Sequence, residues 1–420
     1  MMNRRNTLLA LSAALALALP VVASAQTSRV EGMALQGDYI KDYSSIFTYT
    51  SSVANVGNLV YGELGRAPVP INETADRGVG AVLGNLWDGR LGVWSIHVRE
   101  QTPELGQGDA SSSGATGSNA SDPNTNAMES FDVMWAKKFG TKSFGLRLNR
   151  SYGKREFTGG ANGAIGTEKF DDIAGATATD ANFHRNVLGI GGGVGFEMSP
   201  TTNVETNFLY QSRTFSLEDT TGTVLAEEDS PTTYQFAARA MWQWQPNVMV
   251  VPVFKWYSYD LSTKAGAVVV QNTLKGWQVG AAGNWALGSN DLFVLGVTFA
   301  RNTFEVGNQA TVFTETFAPQ VFAALETHLN SWLTVRFGAN KGAWYTFEDK
   351  DNTVPNSTKI TGNDGTAANT FNMNLGAGVK FGNLQIDAIL NDNFPHNLPH
   401  FISGNTTGNI FPKVTATYPW

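Results

Sequence analysis

The chain has 420 residues, no cysteine, 29 basic against 36 acidic residues and a mean hydropathy of −0.17. Without cysteine a disulfide scaffold is excluded, and the acidic balance argues against nucleic acid as a partner. Forty-four glycines and 11% aromatic residues suit a sheet with one wet and one greasy face. A length that would accommodate two soluble domains reads here as one.

Residues 1–25 read as a secretory signal peptide. Arg4 and Arg5 supply the positive start, residues 8–19 are a Leu/Ala run, Pro20 breaks it, and Ala23-Ser24-Ala25 is a small-x-small cleavage pattern. That apolar run falls short of the roughly 20 residues a spanning helix needs. Cleavage leaves 27 basic and 36 acidic residues, a net charge of −9. Residues 26–56 carry Tyr39, Asp42, Tyr43, Phe47 and Tyr49 among small residues. Two readings stand for this segment, a periplasmic lead and a hatch folded into a lumen.

From residue 57 to 420 the dominant signal is alternation with period two. Leu333, Val335, Phe337 and Ala339 alternate with Thr334, Arg336, Gly338 and Asn340. Phe371, Met373, Leu375, Ala377, Val379 and Phe381 alternate with Asn372, Asn374, Gly376, Gly378 and Lys380. Successive side chains of a strand point to opposite faces, so one face of each can meet lipid and the other water. Turn-forming residues recur at 87–90, 140–142, 199–201, 246–247, 288–290, 330–332 and 382–383. Polar segments separate them at 65–77, 100–128, 156–181, 218–231, 261–271, 305–313, 348–369 and 391–412. Short turns alternating with long loops predict an all-β fold, a transmembrane antiparallel up-and-down β-barrel of about sixteen strands, with 14–18 allowed. The sheet must close because lipid tolerates no unpaired backbone group. Trp87, Trp242, Trp244, Trp256, Trp277, Trp285, Trp332 and Trp344 fall near strand ends, where indole rings favour the bilayer interface.

The alternation also predicts an inner face. Its ionisable members are His97, Arg99, Asp132, Lys138, Arg147, Glu205, Arg239, Glu326, Arg336, Lys380 and Asp387. They either line a water-filled pore or pair with one another and narrow it.

Other motifs carry less. The run 189–195, Gly-Ile-Gly-Gly-Gly-Val-Gly, has no phosphate-loop register and reads as strand glycines. His396 and His400 are separated by prolines, and Glu348-Asp349-Lys350-Asp351-Asn352 reads as a solvated loop tip rather than a calcium loop. None of the five histidines sits in a nucleophile motif. No catalytic group, cofactor or metal is expected.

The last strand places Val414, Ala416, Tyr418 and Trp420 on one face and ends in an aromatic residue. This resembles the terminal strand that outer-membrane barrels present to the barrel-assembly machinery. Pro419 removes a ladder donor, so the final pairing is expected to fray. Gly32-Met33, Asp42 and Ser44-Ser45-Ile46-Phe47 resemble the opening of the long-chain fatty-acid transporter superfamily, which threads an N-terminal plug into a fourteen-stranded barrel and takes up hydrophobic compounds. The expected Asn-Pro-Ala signature is replaced by Tyr49-Thr50-Ser51, and sixteen strands resemble the general trimeric porins instead. The porin likeness implies passive diffusion of small polar solutes across the outer membrane. The alternatives are uptake of hydrophobic compounds and a non-conducting, partner-binding barrel. Outer-membrane lipid and lipopolysaccharide are the expected surroundings, and a homo-oligomer is allowed.

Overall fold

The computed structural model describes residues 26–65, 78–84, 86, 88–99, 130–155, 181–219, 224–228, 232–260, 262–265, 268–271, 273–288, 290–306, 311–351, 356–361, 371–390 and 411–420. The signal-peptide reading, Trp87, His396, His400 and the long segments 100–128 and 156–180 lie outside them. Strands follow in chain order: β1 (Leu59–Gly65), β2 (Gly78–Leu83), β3 (Val93–Arg99), β4 (Ser130–Phe139), β5 (Lys142–Arg155), β6 (Ala181–Ser199) and β7 (Thr202–Asp219). Next come β8 (Val224–Glu228), β9 (Thr232–Gln245), β10 (Val248–Asp260), β11 (Thr263–Ala265), β12 (Val268–Val270), β13 (Thr273–Leu287) and β14 (Asp291–Val306). The chain ends with β15 (Thr311–His328), β16 (Leu333–Gly342), β17 (Tyr345–Asp351), β18 (Asn356–Thr361), β19 (Phe371–Phe381), β20 (Leu384–Leu390) and β21 (Lys413–Pro419).

These strands form one antiparallel sheet that closes on itself. β1 pairs with β2 on one side and with β21 on the other, from Leu59 opposite Pro419 to Gly65 opposite Lys413. Sixteen strands make the wall. β16 and β17 occupy one wall position. β15 pairs with β16 up to Gln320–Gly342 and, past an irregularity, with β17 from Phe317–Tyr345. The short turns fall where the sequence places them as far as their residues are described, Trp87 and Ser289 lying outside. Three of the polar segments differ from expectation, because 218–231, 261–271 and 348–369 carry β8, β11 with β12, and β17 with β18. Residues 348–351 therefore belong to a paired strand rather than a loop tip. Paired extensions such as Thr263 opposite Glu228 satisfy backbone groups above the wall.

The pairing does not fray at Pro419. Its ladder to β1 includes Leu59, and the Trp420 amide donates to the Asn58 carbonyl at 3.4 Å. Amides of successive strand residues point in opposite directions, so the missing Pro419 donor would face β20, whose pairing with β21 ends at Thr417.

The outward face is apolar and open, with Leu146, Leu148, Ile190, Phe254, Val279, Leu295, Phe299, Phe337 and Phe381 all exposed. Trp94, Trp242, Trp244, Trp332 and Trp420 ring the end with the short turns and the chain terminus, while Trp256 and Trp277 pair across strands nearer the other end. Trp277 and Trp285 lie eight residues apart on one face of β13, roughly 26 Å along the strand at about 3.3 Å per residue. At a strand tilt of about 35–45° that spans roughly 20 Å of height, within an apolar band of about 25 Å. Among the described residues no helix is long and apolar enough to cross a membrane. A closed wall, an apolar belt and two aromatic girdles leave lipid as its surroundings. The chain is an outer-membrane β-barrel.

Candidate functional site

The lumen is not empty. Residues 26–55 enter it before β1 as a six-residue helix α1 (Gln26–Glu31) and three 3-10 turns, Gly37–Tyr39, Tyr43–Phe47 and Thr50–Asn55. Asp42 starts the second turn by accepting from the Ser44 amide at 2.9 Å. Val30, Met33, Leu35, Tyr39 and Ile40 pack on Val251, Val253, Ala282, Val294, Phe322 and Ala324 of one side of the wall. Tyr43, Ile46, Phe47 and Val53 pack on Leu59, Tyr61, Val82, Met134 and Ala136 of another. The segment is thus a plug whose apolar groups are buried by the barrel's inner face.

Close approach requires glycine at two wall positions. A Cβ on Gly145 would lie 2.4 Å from the Thr50 carbonyl carbon, and one on Gly338 would lie 1.6 Å from the Met33 carbonyl oxygen. The glycine-rich run of β6 meets the same plug segment, since a Cβ on Gly193 would stand 3.0 Å from the Ser51 amide nitrogen.

Charges hold the plug to the wall. Arg29 donates from Nε and Nη2 to the two Glu326 oxygens at 2.8 and 2.7 Å, and from Nη1 to Asp42 Oδ2 at 2.9 Å. Burial opposes its charge, and the Glu326 and Asp42 carboxylates more than offset that, holding the guanidinium above its ordinary pKa. Glu326 is shared with Arg336 at 2.6 Å, and Arg336 also binds Asp387. Lys255 pairs with Asp38, Lys413 with Glu31 at 2.9 Å, and Ser52 donates to Glu205 at 2.7 Å.

Of the eleven ionisable positions expected on the inner face, nine are buried: His97, Arg99, Asp132, Arg147, Glu205, Arg239, Glu326, Arg336 and Asp387. Arg147 pairs with Asp132 at 2.6 Å, Arg239 with Glu205 at 2.7 Å and Arg99 with Glu63 at 2.8 Å. The Tyr61 hydroxyl and His97 Nδ1 are hydrogen-bonded at 2.8 Å. Lys138 and Lys380 instead stand exposed near the short turns, Lys138 facing Glu197 at 3.6 Å. Of the two readings of these charges, the structure has mutual pairing around a plug. Sequence reasoning missed Glu63, Lys255 and Lys413, which strand alternation could have found. It also missed Arg29, Glu31 and Asp38, for which no periodicity exists.

The plug's wall contacts lie within about ten residues of the short-turn ends of the strands. Two rows of residues run side by side across β10, β13, β14, β15 and β17, one at the edge of these contacts and one nearer the long-loop ends. Lys255, Gln278, Ala300, Phe317 and Tyr345 form the first and Tyr257, Gly276, Asn302, Glu315 and Phe347 the second. The Asn302 amide donates to Glu315 at 3.3 Å, and the Phe317 and Tyr345 rings meet at 5.1 Å. The first row touches the plug directly, since Gln278 hydrogen-bonds the Gln36 side chain.

No known protein family matches the sequence, and no curated protein sequence matches it. Among solved structures, a Pseudomonas aeruginosa FadL homologue is 11% identical, with 94% of this chain and 98% of that one covered at a TM-score of 0.43. The Pseudomonas putida toluene transporter TodX is 8% identical, with coverage of 90% and 92% and a TM-score of 0.36. The copper transporter OprC is 11% identical with a TM-score of 0.41, and the chain spans only 60% of its length. Similarities at this level assign neither a family nor a substrate.

Proposed function

We propose that the chain is a gated outer-membrane channel for small solutes, closed when residues 26–56 occupy the lumen. The observation that carries this is the half-buried Arg29, clamped between Asp42 of the plug and Glu326 of the wall. A segment that continues into the wall only through residues 56–58 can be released as a unit when its ion pairs and hydrogen bonds are exchanged, whereas an open diffusion pore has no use for one. Passage of polar solutes then belongs to the state with the plug displaced. The rings of Tyr257, Phe317 and Tyr345 beside Asn302 and Glu315 favour solutes with both an apolar face and hydrogen-bonding groups, because both kinds of group stand side by side on that part of the wall. That position lies between the two alternatives of polar diffusion and hydrophobic uptake.

Planar-bilayer recording of the mature chain and of a variant lacking residues 26–56 tests the gate. The mature chain is expected to be silent or to open rarely, and the deletion to give stable ohmic steps. Stable steps of equal size from both would support an ungated porin. Silence from both, with folding verified by heat-modifiable mobility, would support a non-conducting barrel.

A further inference from the structure

The way the wall holds the plug says what kind of molecule it recognises. Five wall side chains on five strands each donate to a main-chain carbonyl of the plug. These are Arg147 to Phe47 at 3.0 Å, Arg239 to Asp38 at 3.1 Å, Asn284 to Tyr39 at 2.7 Å, Asn340 to Ala34 at 3.0 Å and Asn374 to Glu31 at 2.6 Å. On a sixth strand, Asn207 accepts from the Thr50 amide at 3.2 Å. Main-chain carbonyls spaced along a chain are the signature of polypeptide, and a wall that presents donors at their spacing reads backbone. Side-chain pairs then set the register: Arg29 on Glu326, Glu31 on Lys413 and Asp38 on Lys255.

The plug also lacks a fold of its own. It has one helix of six residues and three short turns, no strand, and its apolar side chains are buried against wall residues. Such a segment folds on the surface that binds it. It continues into the barrel only through Val56, Gly57 and Asn58, and a Cβ on Gly57 would meet nothing within 4 Å.

We infer that the barrel interior is a peptide-binding site, that residues 26–56 are its ligand in cis, and that the same segment supplied as a separate peptide binds it in trans. This rests on the plug acting as the gate. A short tether raises effective concentration to the millimolar range, so the plug stays seated in the intact chain even where the free peptide binds far more weakly.

The experiment nicks the folded chain rather than truncating it, so the barrel assembles with its plug in place. A protease site replaces Gly57, the refolded protein is cleaved, and a fluorescent peptide of residues 26–56 is added in excess. The expected result is saturable exchange of labelled peptide onto the nicked barrel. A scrambled peptide of the same composition should not bind, and unlabelled peptide with Arg29→Ala should compete at least ten-fold less well. Release of the plug on cleavage with no rebinding of the labelled peptide would overturn the inference, as would equal binding of the scrambled peptide. Conductance of the nicked barrel after the plug is washed out separates the two claims. An open pore that ignores added peptide overturns the peptide site alone, whereas a barrel that stays silent without its plug overturns the gate.

Discussion

Arg29 is the residue whose loss is expected to change the channel most for the least damage to the wall. It serves Asp42 and Glu326, but Glu326 keeps Arg336 and Asp42 keeps the Ser44 amide. Arg29→Ala is therefore expected to leave a heat-modifiable barrel and to raise open probability in planar bilayers; unchanged silence would show that the clamp does not hold the plug. The neighbours Arg336 and Phe337 test the wall. Phe337 faces lipid at 45% exposure and Arg336 is 2% exposed inside, so Phe337→Arg puts a charge into hydrocarbon at a cost of about 2–4 kcal/mol. Alternation alone makes Arg336→Phe look milder, with at most one pair to lose. The structure reverses that, because Arg336 binds both Glu326 and Asp387; Glu326 would keep Arg29, but Asp387 would be left buried with only the Gln385 amide, and stripping a buried pair of its partner costs about 3–5 kcal/mol. Both variants should lower the folded fraction in vesicle refolding titrations, and a neutral Arg336→Phe would contradict the network.

At the scale of elements, the wall was legible and the plug only as one of two readings of residues 26–56. Strands such as β16 and β19 must put alternate residues in lipid, and that requirement is written into Leu333 to Asn340 and Phe371 to Phe381 residue by residue. The turns declare themselves through Gly140, Gly288 and Gly382, all with positive φ. β8, β11, β12 and β18 escape because they rise beyond the membrane, where no lipid enforces alternation. The plug escapes because its partners are distant in sequence: Ser28 meets Thr415 at 2.7 Å across 387 residues. The tyrosines and Asp42 of the segment marked it as unusual without saying where it goes. β21 carries its own prediction. Its ladder with β1 closes the barrel, and the Trp420 amide extends that ladder by one bond. Deleting Trp420 is expected to lower the yield of heat-modifiable barrel in the outer membrane while leaving the conductance of the barrels that do form unchanged. Normal yield would remove the terminal residue from assembly.

The whole molecule joins a rigid closed wall to a segment held inside it by polar contacts around most of the circumference. A wall with every strand paired has little freedom to move, so transport falls to the plug. The Ser28–Thr415 contact offers a way to hold that plug still, since the chain has no cysteine of its own to interfere. Hydroxyls in direct contact place the two side chains near disulfide range, which asks for Cβ atoms about 3.8 Å apart. The decisive measurement is conductance of the Ser28→Cys/Thr415→Cys protein carrying Arg29→Ala, recorded oxidised and then after reductant is added to the same bilayer. The account predicts silence while the disulfide holds and ohmic openings once it is reduced. Equal conductance in both states, with the disulfide verified by mass, would contradict it.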